Sequence, residues 1–289
     1  MVVLRFCSKV AILSICLVGP VWAGDDLERS RPDFNVNQLT ATWGLNLGGS
    51  LNTLSTEAAW AAKGAGGATI VIESALGLEE RAETFNIGAT YRLNGRHLFE
   101  LRATDIRRSA TRTIDREIEW GDYVFRAEGT VSSEFNTMFV DAVWKYDFSD
   151  SERLNTGFLV GLSILSFGVS LEGEARLEGS EGGVWVEGTA EGAEILAPLP
   201  VVGFYLDYAL SPRWLLRLDS SALIEVSYSG HSGRLRQIHL ACEYVASDLI
   251  GVGVVASSLG VAYSQNQEGE RLAVDFSVKS FGAYLSFAF

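Results

Sequence analysis

Between Leu39 and Leu51 the chain alternates: Leu39, Ala41, Trp43, Leu45, Leu47, Gly49 and Leu51 interleave with Thr40, Thr42, Gly44, Asn46, Gly48 and Ser50. A period of two predicts a strand with one apolar and one polar face. Thr84–Leu93 repeats it, with Phe85, Ile87, Ala89, Tyr91 and Leu93 on one face. Asn94-Gly95, a strong hairpin signal, follows at once. Leu98–Arg108 returns with Phe99, Leu101 and Ala103 opposite Glu100, Arg102 and Thr104. Phe135–Tyr146, Asn155–Ser166, Val201–Leu210, Trp214–Tyr228, Leu235–Val245, Ile250–Tyr263 and Leu272–Phe289 carry similar patterns. The pattern predicts an all-β chain of about ten strands, with eight or twelve as alternatives.

The connections alternate in length. Those after Leu93, Tyr146, Leu210 and Val245 are short, whereas those after Leu51, Arg108 and Ser166 are long. Short turns at one end and long loops at the other fit an up-and-down transmembrane β-barrel. Strands longer than the five or so residues usual in globular sheets fit a tilted bilayer crossing. Tyr91, Trp144, Tyr146, Tyr208, Trp214 and Tyr244 lie beside the short turns, as an interfacial aromatic girdle would.

Composition narrows the class. Thirty glycines, five prolines and 11% aromatics suit long strands. After residue 23 no apolar run approaches the ~18 residues of a spanning helix. Before it, Arg5 and Lys9 precede an apolar stretch, Val10–Val18, and then Val21-Trp22-Ala23. This reads as a secretory signal peptide over residues 1–23, cleaved after Ala23. Ile15 and the apolar residues after Cys16 argue against a lipoprotein signal. Removing residues 1–23 takes away two cations and no acid, so the charge becomes 21 − 36 = −15. Cys7 and Cys16 go too, leaving Cys242 and no internal disulfide framework. The acidity argues against nucleic acid. Residues 24–38 are expected to be a short periplasmic segment and 39–289 the barrel.

The last strand alternates Phe281, Ala283, Leu285, Phe287 and Phe289 with Gly282, Tyr284, Ser286 and Ala288. An aromatic-ended final strand resembles the signal read by the outer-membrane barrel-assembly machinery, with Phe281, Leu285, Phe287 and Phe289 as its residues. Tyr91–Leu101 (YRLNGRHLFEL), Ile118–Phe125 (IEWGDYVF) and Pro198–Leu210 (PLPVVGFYLDYAL) carry a wider likeness. Through them the mature chain resembles Gram-negative outer-membrane β-barrels of the OmpA/OmpW-like superfamily, in a poorly characterised barrel-domain group. The resemblance implies an outer-membrane location, but no agreed substrate and no catalytic residues to carry over. No separate peptidoglycan-binding domain is expected.

The polar faces carry Arg92, Glu100, Arg102, Asp141, Lys145, Asp207, Arg217, Asp219, Glu225 and Glu243, expected to point into the lumen and pair there. Arg107, Arg108, Arg112 and Arg116 in the second long loop are candidate contacts for lipopolysaccharide phosphates, interleaved with Asp115, Glu117, Glu119 and Asp122. Residues 170–198 read as an acidic, solvated loop matching no calcium motif. Ala58–Ala68 suggests a short helix or plug weakened by Gly64, Gly66 and Gly67. His231-Ser232 lies in a Ser-Gly-rich turn and is read as turn chemistry, not as part of a catalytic set. No catalytic residue, metal cluster, phosphate loop or cofactor is expected. The expected role is a non-enzymatic, monomeric structural or surface barrel, or a narrow channel. The alternatives are a porin-like transporter for small or hydrophobic solutes and, distantly, a lipid-modifying hydrolase.

Overall fold

The computed structural model describes residues 37–61, 70–120, 123–149, 151, 153–177, 185–191, 195–228, 230–267 and 270–289. The expected signal peptide, most of the 24–38 segment, residues 62–69 and residues 178–184 and 192–194 of the acidic loop lie outside the described residues.

Ten strands form the wall: β1 (Trp43–Ala61), β2 (Arg81–Asn94), β3 (His97–Thr113), β4 (Thr130–Asp147), β5 (Leu154–Leu177), β6 (Ile195–Ser211), β7 (Trp214–Tyr228), β8 (His231–Val245), β9 (Ile250–Gln267) and β10 (Glu270–Ala288). Each pairs antiparallel with its sequence neighbours, and β10 pairs with β1, placing Phe281 opposite Leu51. The sheet therefore closes, and among the described residues no barrel strand leaves an unpaired edge to lipid.

Two outward-facing patterns follow one another along these strands. On β1 the outward residues run from Trp43 to Leu51 and then become Thr53, Ser55 and Glu57. On β3, Phe99, Leu101 and Ala103 give way to Asp105, Arg107 and Ser109. On β4, Met138, Val140, Ala142 and Trp144 give way, going outward, to Asn136, Glu134 and Ser132. On β10, Phe281, Ala283 and Leu285 give way to Lys279, Ser277 and Asp275.

The inner face inverts at the same heights. Asn52 is followed by Leu54 and Ala58, Thr104 by Ile106, and Ser280 by Val278, Phe276 and Val274, all buried beyond the switch, while the inner face of β4 is apolar on both sides of Thr137, at Phe139 and Phe135. Where lipid lies outside, apolar side chains gain nothing by turning inward. Where water lies outside, they must turn inward to leave it. The apolar-outward stretch on β1 and β10 is about nine residues, close to the ~9–11 that a tilted strand needs to cross hydrocarbon. The barrel thus has an inner, membrane-facing zone and an outer, water-facing zone. This corrects the expectation of a polar interior throughout.

It also explains three boundary differences. Strands β1, β3 and β5 continue to Ala61, Thr113 and Leu177, so the connections above them are shorter than the sequence suggests. Ala58–Ala61, expected in a helix or plug, belong to β1. Leu39, expected to face lipid on a strand, lies in a short helix, Asn37–Thr40. There it is buried against Ala209, Leu215 and Val245 at the inner end of the lumen. A leucine offered a dry pocket inside the mouth takes it, and regular alternation cannot reveal that choice.

Above the outer zone a helix, Ile72–Leu76, and a hairpin of Ile118–Trp120 with Tyr123–Phe125 fold over the strand ends. Ile72, Leu76, Leu78, Ile114, Ile118, Trp120 and Phe125 join the buried core formed by Phe135, Phe139, Phe167, Leu171 and Phe276. Phe135 meets Phe167 edge to face at 4.9 Å and stacks on Phe276 at 6.0 Å. Burying each such side chain is worth about 1.5–3 kcal/mol.

Candidate functional site

The barrel interior holds the candidate site. Period-two alternation places Glu100 and Arg102 of β3, Asp141 and Lys145 of β4, Asp207 of β6, Arg217 and Asp219 of β7 and Glu243 of β8 on inward positions of the membrane-facing zone. Lys145 Nζ sits 2.7 Å from Asp219 Oδ1 and 2.8 Å from Glu100 Oε2. Arg102 pairs with Glu100 at 2.9 Å and with Asp219 at 3.3 Å, and lies 4.0 Å from Asp141. Arg217 lies 3.3 Å from Glu243 and 3.8 Å from Asp207.

Strands β3 and β7 are not neighbours, so the Arg102–Asp219 pair crosses the lumen. Neutral groups complete the network. Ser163 Oγ and Gln237 Nε2 donate to Asp141. Tyr284 Oη and Ser286 Oγ donate to Glu243, which has no solvent exposure of its own. His239 Nε2 lies 2.7 Å from Gln237 Nε2. Charges this deep would each cost several kcal/mol unpaired, so mutual satisfaction is the condition for placing them here. Of the charged residues expected in the lumen, eight are drawn into these pairs. Arg92 lines the same space, with no ion pair among the described residues. The Glu225 side chain lies outside the described residues.

Beside the ion pairs is a cavity of about 250 Å³, with a different wall on the β1, β2 and β10 side. Asn46, Ser50, Asn52, Asn86, Thr90 and Ser280 line it there with amides and hydroxyls. Gln38, from the short N-terminal helix, lines its inner end. That helix is held by Gln38 Nε2 donating to Ser247 O and Asn155 Nδ2 donating to Leu39 O. Ile106, Phe139, Leu259 and Val278 form its outer ceiling.

A second buried pair sits above that ceiling. Arg108 turns inward and donates from Nη1 to Glu73 Oε1 at 2.8 Å and to Glu79 O at 3.1 Å, and from Nη2 to Thr56 Oγ1 at 3.1 Å. Thr56 N donates to Glu73 Oε2. The guanidinium lies 4.3 Å over the Phe135 ring. Both side chains are almost fully buried, so the pair ties the Ile72–Leu76 helix to the wall. This corrects the expected lipopolysaccharide contact at Arg108: it has the inward parity of Arg102 and cannot reach the outer surface. Arg107 faces outward and pairs with Asp105 at 2.8 Å. Arg112 donates to Ser74 O, and Arg116 is exposed in the loop.

The remaining candidates are dispersed. His231 Nδ1 and the Tyr263 hydroxyl share a hydrogen bond of 2.8 Å, and Ser232 shares one with Ser264. At the inner end Trp43 meets Tyr91 at 4.4 Å and Trp214 meets Tyr244 at 5.2 Å, while Trp144 Nε1 donates to His97 Nδ1. Phe281, Leu285 and Phe289 are exposed on the outer face of the closing strand, with Phe287 half-buried beside them. Sequence reasoning missed Glu73, Gln237 and Tyr284. Glu73 lies in a five-residue helix, too short to show a periodic pattern. The other two are uncharged residues on faces already read as polar.

No protein-family model matches the chain, and no curated protein matches its sequence. Among solved structures it is similar to the outer membrane protease OmpT from Escherichia coli, with a TM-score of 0.51 and 11% identity over 85% of this chain and 97% of that one. The chain has the fold of an outer-membrane β-barrel. Matches with lower TM-scores include the P. putida toluene transporter TodX (0.36, 8% identity, 88% and 92% covered) and Ail of Yersinia pestis (0.29, 9% identity, 84% and 99% covered).

Proposed function

We propose that this protein is a non-enzymatic outer-membrane barrel with a structural or surface role, its interior closed to solute flow in the state described. The observation that carries this reading is the apolar core filling the outer-zone interior, where Phe135, Phe139, Phe167, Phe276 and Trp120 pack under a latched helix. Below it, the ion pairs of Arg102, Lys145 and Asp219 cross the lumen at a second level. Planar-bilayer recording of the refolded protein tests it. Silence is expected; steady, solute-dependent steps would overturn it.

One observation favours a second reading, a narrow channel for small polar solutes. The 250 Å³ cavity is a preformed space inside the membrane-facing zone, walled on one side by the amides and hydroxyls of Asn46, Asn52, Asn86 and Ser280. Conduction through it requires the Ile72–Leu76 helix to leave, and the Glu73–Arg108 pair holds that helix in place. On this reading, recordings of Glu73→Ala show openings that the parent lacks.

A further inference from the structure

We propose that one side of the barrel carries a binding belt for the phosphate groups of a phosphorylated outer-leaflet lipid, built from Arg81, Arg234, Arg236 and Lys279. All four are exposed on the outer face of the wall. Lys279 of β10 stands one outward position above Phe281, and Arg236 of β8 one above Ile238, both exposed apolar residues. Arg234 follows Arg236 by one further step, and Arg81 of β2 stands two steps above the exposed Phe85. The four cations therefore sit where the outward surface changes from apolar to polar, the height of lipid headgroups beside a membrane-facing band.

Their lateral spacing suits a shared ligand. Thr53 of β1 lies directly opposite both Lys279 and Arg81, so two strand spacings, ~10 Å, separate those cations. Arg236 and Lys279 flank β9 opposite Gly260 and Ser258. Small or hydroxyl-bearing side chains between the cations leave room for a headgroup. None of the four makes an ion pair among the described residues, whereas Arg107 on β3 is neutralised by Asp105 and Arg126 by Glu174. Among the described residues the exposed carboxylates on this side are Glu79, Glu80 and Glu83 near Arg81, and Glu57 and Asp275, which face each other one step beyond Ser55. In a chain of net charge −13, exposed cations that make no ion pair among the described residues and sit at the apolar-to-polar boundary suit an outside anion. Phosphate over acyl chains supplies that anion and covers the apolar band beneath it.

The inference rests on the barrel's place in the outer membrane and not on whether its interior conducts, so this test and the conductance test fail independently. The mature protein is refolded into phosphatidylcholine vesicles containing either bisphosphorylated lipid A or the same lipid stripped of its phosphates. It is then extracted in mild detergent, and bound lipid is counted by native mass spectrometry. The wild type should retain the phosphorylated lipid at least tenfold more than the stripped one. Changing Arg81, Arg234, Arg236 and Lys279 together to glutamine should remove that preference, and Arg107→Gln should keep it. Lys279→Glu alone, a milder change for folding, should lower retention severalfold with the heat-modifiable gel band intact. Equal retention of both lipids, or an unaffected quadruple variant, would overturn the proposal. So would full displacement of the lipid by millimolar inorganic pyrophosphate, because the belt would then read free phosphate and not a membrane.

Discussion

Leu206 and Asp207 are adjacent in sequence and face opposite environments. Leu206 lies on the outward side of β6 between Phe204 and Tyr208, and Asp207 is buried inside near Arg217. Arginine at a lipid-facing position near the bilayer midplane costs about 2–4 kcal/mol. Leu206→Arg should therefore abolish most of the folded band on a heat-modifiable gel, while Asp207→Asn should keep it. The reverse result would mean that the two faces are assigned the wrong way round. The Glu73–Arg108 pair allows a second comparison. Glu73→Ala strands a buried guanidinium, an uncompensated charge that typically costs about 3–5 kcal/mol. Glu73→Leu combined with Arg108→Met removes both charges and should recover most of the thermal stability lost by the single change. A double variant no better than the single one would show that the pair does not hold the helix. His231→Ala with Ser232→Ala should leave any lipid-modifying activity of the purified protein unchanged.

At the scale of elements, the alternation in β2, β4 and β6 was legible because lipid on one side and a polar lumen on the other both reward period two. The upper halves of β1, β3 and β5 were harder to read. Their alternation continues with reversed meaning, and a period says nothing about which side is wet. Lumen charges such as Lys145 and Asp219 could be named from parity alone, but their partners could not, since cross-lumen pairing depends on closure and shear. Glu73 and the Asn37–Thr40 helix carry no periodic signal. The helix gives its own test: Leu39→Asp places a carboxylate against Ala209, Leu215 and Val245, and should lower the unfolding temperature more than Gln38→Ala does. If the two changes are equally mild, Leu39 does not seal the inner mouth.

At the scale of the whole molecule, one closed sheet serves two solvents. In the inner zone the wall is apolar outside and its polar lumen is neutralised by mutual ion pairs. In the outer zone the same strands make a β-barrel of the kind found in water, with a phenylalanine-rich core. That division explains how a barrel with so many inward charges can also bury Phe135, Phe167 and Phe276 inside, and it is the basis for reading the interior as closed. The most direct test is a spin-label scan along the outward face of β4 in lipid vesicles, with Cys242 first replaced by serine and one cysteine then introduced at a time. Labels at Met138, Val140 and Ala142 should collide with oxygen dissolved in the bilayer, and labels at Ser132, Glu134 and Asn136 with a water-soluble nickel complex, the change falling between Asn136 and Met138. Oxygen-dominated collisions along the whole strand from Ser132 to Ala142 would contradict the two-zone barrel.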